Sequence, residues 1–329
     1  MLRLAALLGT GLMIAAFWAW SALAIYFSNL PGSTLRALLA AIFALSVPAA
    51  FALLPNRRRT ALFFAACVGA ILLWWQTISP SHDREWTTDV AVLPHSTIEG
   101  DLVTVHDIRN FDYRSPNDFD VRYYDKTFDL RKIETFYVVF SYWDNLETVA
   151  HTMLSFGFRD NDYLTVSAET RRERGEPQTA LRGLFKQYEM IFILGDERDL
   201  LRLRTGFRGE EVYLYPTTAT PQEARALFLD ILEHVNRIYR QPEFYNTLRD
   251  NCTTSLLPHI DRIRPVRATQ LERIRNGFGD AVAYRNGWIV SDLPFPETRR
   301  RHHINPYVEN LTDARDYSRR IRPHLAQTR

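Results

Sequence analysis

Three long apolar stretches open the chain. The first runs without a charge from Leu4 to Phe27, the second from about Leu35 to Leu54, and the third from Thr60 to about Ile78. About 20 apolar residues suffice to cross a bilayer core, and hydrophobicity this continuous does not suit an amphipathic helix of a soluble protein. The pattern predicts three transmembrane helices, so residues 1–79 are assigned as a membrane anchor.

Basic residues between the second and third stretches set the predicted orientation. The loop contains Arg57, Arg58 and Arg59, and short loops rich in arginine stay in the cytoplasm. Three crossings then bring the chain after Ser79 to the outer face, which is the periplasm in a Gram-negative cell. The pattern therefore predicts a multi-pass protein of the bacterial inner membrane with a periplasmic C-terminal domain. Only Arg36, at the outer end of the second stretch, argues against this orientation.

Beyond an extended linker at residues 80–100, the hydrophobic period changes to two. Ile133–Tyr142 is rich in β-branched and aromatic residues and predicts a central strand. Ala150–Phe158 and Tyr163–Glu169 alternate on either side of a short polar turn, which predicts a hairpin with one apolar and one polar face. His151 and Glu169 are expected to share the polar face.

Helical spacing returns after Thr220. The run Thr220-Pro-Gln-Glu223 is typical of a helix start, and apolar residues recur at helical spacing from Leu227 to Ile238. Strands and helices together predict an α+β domain over residues 101–298. A basic C-terminal tail at 299–329 follows, and we expect the chain past Arg319 to be loose.

Composition narrows the function classes. A net charge of +2 gives no support to a nucleic-acid partner. The sequence contains no His-Glu-x-x-His, no Cys-x-x-Cys and no glycine-rich phosphate loop, so neither a metal nor a cofactor is expected. Ser141 and Ser155 are not in a Gly-x-Ser-x-Gly setting.

The cysteines give the strongest chemical signal. Cys67 lies inside the third apolar stretch and Cys252 lies outside the membrane, so they cannot pair. Most free cysteines are small hydrophobic residues buried in a core. The neighbours of Cys252, Asn251 and Thr253, are polar instead, and a helical pattern begins at Cys252. A helix N-terminus favours a thiolate. Cys252 is therefore a candidate nucleophile, with plain packing as the alternative.

A cysteine nucleophile needs a base and a group that orients the base. Of the nine histidines, His259 would lie about two turns along the helix from Cys252, about 10 Å away in rise. His234 is expected on the exposed side of its helix. His151 opens a strand on a polar face between small neighbours, and is the candidate base, with a purely structural histidine as the alternative.

Short blocks spread along the outer domain form a recognisable set: Arg109–Ser115, Ser141–Trp143, Ala150–Phe156, Gln187–Glu189, Asp196–Asp199, Arg202–Thr205, Val212–Tyr215 and Asn251–Thr254. Together, over roughly Asp101 to Pro258, they resemble the Lnb N-terminal periplasmic domain family, which is associated with lipoprotein N-acylation. The resemblance implies an acyltransferase that takes a fatty acyl group, with a membrane phospholipid as donor, and passes it to a lipoprotein's N-terminal amine. Characterised members carry further membrane-embedded sequence after this domain, whereas here the apolar spans precede it.

The order of histidine and cysteine adds a looser resemblance. In circularly permuted papain-like enzymes, such as lecithin:retinol acyltransferase, the histidine comes first on a strand and the cysteine later opens a helix. The likeness implies a papain-like domain with an antiparallel sheet and packed helices. It also implies Cys252 as nucleophile, His151 as general base and Glu169 as the group that orients His151.

Two other functions stay open. A cysteine amidase or peptidase of the same fold would pass the acyl group to water and act on cell-wall or protein amides. A tethered binding module without catalysis would leave Cys252 incidental. Arg109, Asp112 and Arg114 fit each of these as a salt-bridged scaffold.

Overall fold

The computed structural model describes residues 2–143, 148–274, 276–309, 311 and 314–322. It opens with helices α1 (Leu2–Tyr26), α2 (Ser33–Leu53) and α3 (Arg57–Thr77), which are long and apolar enough to cross a membrane. Asn56 caps α3 by accepting a hydrogen bond from the Arg59 backbone N–H. The three predicted apolar helices are confirmed, with boundaries that differ by a few residues.

The strands found in the described residues are β1 (His95–Glu99), β2 (Leu102–Arg109), β3 (Asp112–Ser115), β4 (Asp118–Asp120), β5 (Tyr123–Asp129), β6 (Ile133–Tyr142), β7 (Ala150–Phe158), β8 (Asp162–Arg171), β9 (Glu189–Gly195) and β10 (Glu211–Pro216). One sheet has the order β1-β2-β9-β8-β7-β6-β10, with β5 also paired to β2, while β3 and β4 form a separate hairpin. From β9 to β10 all neighbours are antiparallel.

The further α-helices in the described part of the chain are α4 (Glu197–Arg202), α5 (Pro221–Arg240), α6 (Cys252–Ile263), α7 (Gln270–Ile274), α8 (Gly279–Arg285), α9 (Phe295–Arg301) and α10 (Tyr317–Arg320). The predicted α+β class is confirmed. One face of the sheet packs on α5 and α6, where Phe156 contacts Phe228. The opposite face packs on the C-terminal segment, where Met153 lies in one cluster with Ile304 and Tyr317.

Two segments expected at the periphery are part of this fold. Within residues 80–100, β1 pairs along β2 in the main sheet. At the other end, Ile321 is fully buried and the Arg322 guanidinium hydrogen bonds to the buried carboxylate of Glu197. The expectation of a loose chain past Arg319 is wrong for these two residues. The apolar residues in this basic stretch are too few to show a periodic pattern. The carboxylate partner of Arg322, Glu197, is far away in the sequence and comes close only in the folded structure.

The predicted hairpin of β7 and β8 is confirmed, but its open end is split. The two strands pair from Phe158↔Asp162 to Met153↔Ser167. The first residues of β7, Ala150 to Thr152, pair with β6 on their other side, whereas β8 continues along β9 through Glu169↔Ile191. The split leaves space between two strands of one sheet, and the N-terminus of α6 lies there.

Candidate active site

The helix that carries Cys252 starts there for a local reason. Asn251 has extended backbone angles, and its side chain accepts hydrogen bonds from the backbone N–H groups of Thr253 and Thr254. The Thr254 hydroxyl in turn accepts from the Asn251 backbone N–H at 2.8 Å, which completes a capping box. Cys252 is thereby fixed as the first residue of α6, at the positive end of the helix dipole.

The Cys252 sulfur occupies the split in the sheet. It lies 3.9 Å from the Ala150 carbonyl oxygen and accepts a hydrogen bond from the backbone N–H of Thr152. Both groups belong to the part of β7 that β8 leaves unpaired. The side chain is only 7% exposed. The thiol thus takes the place that a neighbouring strand would otherwise fill.

His151 lies between those two backbone groups and hydrogen bonds to the Cys252 side chain. Its Nε2 is 2.6 Å from the Ser167 hydroxyl and 3.1 Å from Glu169 Oε1. Because Ser167 donates its own proton to Glu169 at 2.7 Å, its oxygen accepts from Nε2–H. Nδ1 is then the ring nitrogen left to exchange a proton with the thiol. The structure brings together all three residues that the sequence singled out.

Electrostatics shift His151 and Cys252 toward their charged forms. Burial lowers the pKa of His151, but the carboxylate of Glu169 and the nearby Cys252 sulfur outweigh it and raise that pKa to about 9. Burial raises the pKa of the Cys252 thiol, but the His151 charge and hydrogen bonds from His151 and Thr152 bring it below its ordinary value. The arrangement therefore favours a thiolate beside an imidazolium more than two isolated side chains would.

Glu169 keeps its charge despite its surroundings. Burial favours its neutral form, yet His151, Arg204 and the Ser167 hydroxyl hold the pKa of this carboxyl well below its usual range. The Arg204 guanidinium donates to Glu169 Oε1 at 2.9 Å and to the Leu200 carbonyl at 2.8 Å. A permanent anion at Glu169 is what stabilises the imidazolium.

Sequence reasoning missed Ser167 and Arg204. Ser167 was detectable, because the two-residue period of β8 puts it on the same face as Glu169. Arg204 was not, because it lies on a π-helical turn (Leu203–Arg208) that continues α4. No hydrophobic period indicates such a turn, although π-turns are frequent at functional sites.

A polar cleft of about 370 Å³ opens over His151 and Glu169. Four arginines line it: Arg109, Arg172, Arg204 and Arg208. Arg109 forms a buried two-pronged ion pair with Asp199, as expected of a scaffold residue. Arg208 is 40% exposed and lies 3.6 Å from Glu210. Each of the four arginines has a carboxylate partner, and the partly exposed guanidinium groups of Arg172 and Arg208 can still donate to an anionic substrate group.

The other candidate histidines are engaged elsewhere. His259 is buried, with Nδ1 2.6 Å from Asp230 and Nε2 2.9 Å from His234 Nδ1. His234 was expected on an exposed helix face, but its side chain is only 12% exposed, because α6 packs over that side of α5. Within the described residues, no group of three or more His, Cys, Asp or Glu is arranged to hold a metal ion.

The site adjoins the membrane helices through a short chain of contacts. Phe185 stacks on Phe27 at the end of α1 with 5.4 Å between ring centroids, and the Lys186 ammonium donates to the Trp75 and Ile78 carbonyls beside the end of α3. Two residues before Phe185, the Gly183 carbonyl accepts from the backbone N–H of Thr247. The Thr247 carbonyl in turn accepts from the Asn251 side chain at 3.0 Å.

The comparison with known protein families gives a match in the outer domain. The sequence model of the Lnb N-terminal periplasmic domain family matches residues 119–283, which is 165 of the 329 residues. The chain therefore belongs to the Lnb N-terminal periplasmic domain family. With its three membrane-capable helices, it is a membrane-anchored protein with a periplasmic domain. Neither a curated protein nor a solved structure matches it.

Proposed function

We propose that the protein is a thiol-dependent acyltransferase of the bacterial inner membrane. It takes a fatty acyl group from a phospholipid and passes it to the N-terminal amine of a lipoprotein. The observation that carries the proposal is the buried contact of Cys252, His151 and Glu169, in which charge and hydrogen bonding favour thiolate and imidazolium. The strand position of the histidine and the helix-start position of the cysteine also support the papain-like comparison.

The first half-reaction forms a thioester. The Cys252 thiolate attacks the ester carbonyl carbon, and the positive end of α6 stabilises the oxyanion. The sulfur–carbon bond forms, the carbon–oxygen ester bond breaks, and His151 gives its Nδ1 proton to the departing alkoxide. A lysolipid leaves, and the imidazole is neutral.

The second half-reaction transfers the acyl group. The lipoprotein amine attacks the thioester carbonyl, neutral His151 accepts the proton that the amine loses, and the carbon–sulfur bond breaks. The amide product leaves and the thiolate–imidazolium pair is restored. Two moderate barriers replace one high one, and Glu169 stabilises the imidazolium each time it forms.

The surroundings of the site favour a lipid donor. Three helices keep the domain beside the bilayer, which raises the local concentration of lipid without further contacts. The polar cleft over His151 can bind a phosphate headgroup, because the partly exposed guanidinium groups of Arg172 and Arg208 can donate hydrogen bonds to phosphate oxygens. An amidase would need the same cysteine and histidine but no lipid nearby.

The test uses cells that lack their own lipoprotein N-acyltransferase. Wild type, Cys252→Ala and Cys67→Ala are expressed, and lipoprotein N-termini are read by mass spectrometry. We expect N-acylated lipoprotein with wild type and with Cys67→Ala, whose thiol lies in α3, and none with Cys252→Ala.

Two other results would redirect the assignment. Unmodified N-termini together with Cys252-dependent changes in peptidoglycan fragments would favour the amidase. Acylation that persists in Cys252→Ala at wild-type protein levels would remove the thioester mechanism.

A further inference from the structure

A second cavity lies on the other side of β7 from the polar cleft. It measures about 70 Å³, several times the ~10–15 Å³ that one water needs. It is enclosed by β6, α6, α7 and α8 and the segment around Trp288. Most of its wall is apolar, including Val138, Phe140, Leu256, Ile260, Val282 and Trp288.

This cavity reaches two residues that contact the Cys252 sulfur. Thr152 and Thr253 both line it, and their hydroxyls hydrogen bond to each other at 2.8 Å. The Thr253 hydroxyl is also 4.0 Å from the sulfur, and the Thr152 backbone N–H donates to it. The residues that contact the sulfur thus line two different spaces, Thr152 the apolar cavity and His151 the polar cleft, because successive strand residues point to opposite faces.

An unfilled apolar cavity needs an explanation. Protein interiors are close-packed, and an empty cavity in a core costs stability roughly in proportion to its volume. Dry apolar cavities bind apolar ligands. The charged residues among those that line it, Glu272 and Arg273, both lie on α7, so the β6 wall is apolar and the α6 wall is apolar apart from Thr253.

We infer that this cavity receives the part of the acyl chain next to the carbonyl during thioester formation at Cys252, while the polar part of the donor lies in the arginine-lined cleft. The inference rests on the proposed function. The alkyl chain fits the apolar side better, because the polar cleft, although Phe119 and Trp143 also line it, places four arginines, Asp89 and Glu169 around His151. The site therefore divides an amphipathic substrate at its ester bond.

The test measures acylation of Cys252 in the full-length protein in detergent micelles. The probes are p-nitrophenyl acetate and p-nitrophenyl octanoate. With each ester, a bond forms between the Cys252 sulfur and the acyl carbon, the ester carbon–oxygen bond breaks and p-nitrophenolate leaves. Each methylene that enters the cavity contributes about 0.8 kcal/mol, so we expect the octanoate to react at least ~30-fold faster than the acetate.

Variants that fill the cavity separate its effect from partition into micelles. Ala283→Leu on α8 and Ala268→Leu before α7 both narrow it. Ala281→Leu is the matched control, since it adds the same side chain to α8 away from the cavity wall. We expect the two cavity variants to lose at least ~10-fold of the octanoate rate and to keep the acetate rate, while the control keeps both.

The possible failures are distinguishable. Acylation at equal rates for both esters, or an equal loss with both esters in the cavity variants, would overturn the chain-binding role and leave acyl transfer standing. No thioester at Cys252 with either ester would remove acyl transfer and this inference with it. If both cavity variants misfold, a palmitoyl ester with a photoreactive mid-chain group decides. Cross-links in α6 and α8 support the inference, and cross-links confined to the arginine-lined cleft or α1–α3 overturn it.

Discussion

Around His151, neighbouring charges have opposite effects on its protonation. Glu169 and the sulfur of Cys252 favour the imidazolium, whereas burial and Arg204 oppose it. Arg204 nevertheless belongs to the arrangement, because it is one of the groups that keep Glu169 ionised. The residue that sets the upper pH limit of the thiolate–imidazolium pair is therefore Glu169.

Replacing this carboxylate tests that conclusion. The pKa of His151 is about 9, above its ordinary value, so the imidazolium is stable below that pH and is lost as the pH rises through it. Glu169→Gln removes the largest cause that raises this pKa. We expect the alkaline limit of Cys252 acylation by p-nitrophenyl acetate to move down by about 1 pH unit or more, measured as the rate against pH.

A control substitution shows whether the loss of any one carboxylate charge would move the alkaline limit in the same way. Glu134→Gln also removes one carboxylate, but Glu134 is 46% exposed and pairs with Arg159. We expect its pH profile to match wild type. An unchanged alkaline limit in Glu169→Gln would show that the carboxylate does not govern the histidine.

At the level of secondary structure, the start of α6 links stability to reactivity. Asn251 caps two backbone N–H groups and also bonds to the Thr247 carbonyl. Asn251→Ala should lower the free energy of unfolding by about 1 kcal/mol. It should also raise the pKa of the Cys252 thiol, because the first turn no longer holds its dipole at the sulfur. Iodoacetamide alkylation against pH measures the second effect.

The same type of cap on α5 provides the comparison. Thr220 forms a capping box with Glu223, so Thr220→Ala should cost about the same stability. Since α5 does not carry the thiol, its alkylation profile should stay that of wild type. Equal profiles for the two variants would mean that the start of α6 does not tune Cys252.

The accuracy of the sequence predictions differs between elements for physical reasons. β6, β7, β8, α5 and α6 were found because each has a clean period or a capping signal. The shared face of His151 and Glu169 followed from the two-residue period. The split between β7 and β8 has no such signal, because it depends on α6 entering the sheet from far along the chain. Arg204 could not be predicted because its π-helical turn has no hydrophobic period, and Ile321 because its stretch has too few apolar residues to show one.

Across the whole molecule, a series of contacts joins the membrane-capable helices to the candidate active site. It runs from Phe27 and Trp75 through Phe185 and Lys186, and continues from Gly183 through Thr247 to the cap of α6. The outer domain is therefore joined to the membrane-capable helices by packed side chains and hydrogen bonds. This placement has a function only if the domain lies on the side of the membrane where its substrates are.

The orientation prediction follows from Arg57, Arg58 and Arg59 and can be tested with introduced cysteines. In a Cys67→Ala, Cys252→Ala background, Leu181→Cys marks an exposed site on the domain, and Pro55→Cys marks the exposed loop between α2 and α3. Basic residues keep that loop in the cytoplasm. A membrane-impermeant maleimide should therefore label the Leu181→Cys variant in intact spheroplasts and the Pro55→Cys variant only after permeabilisation. The reverse pattern would place the thiol in the cytoplasm, away from every periplasmic lipoprotein, and the proposed acceptor would be wrong.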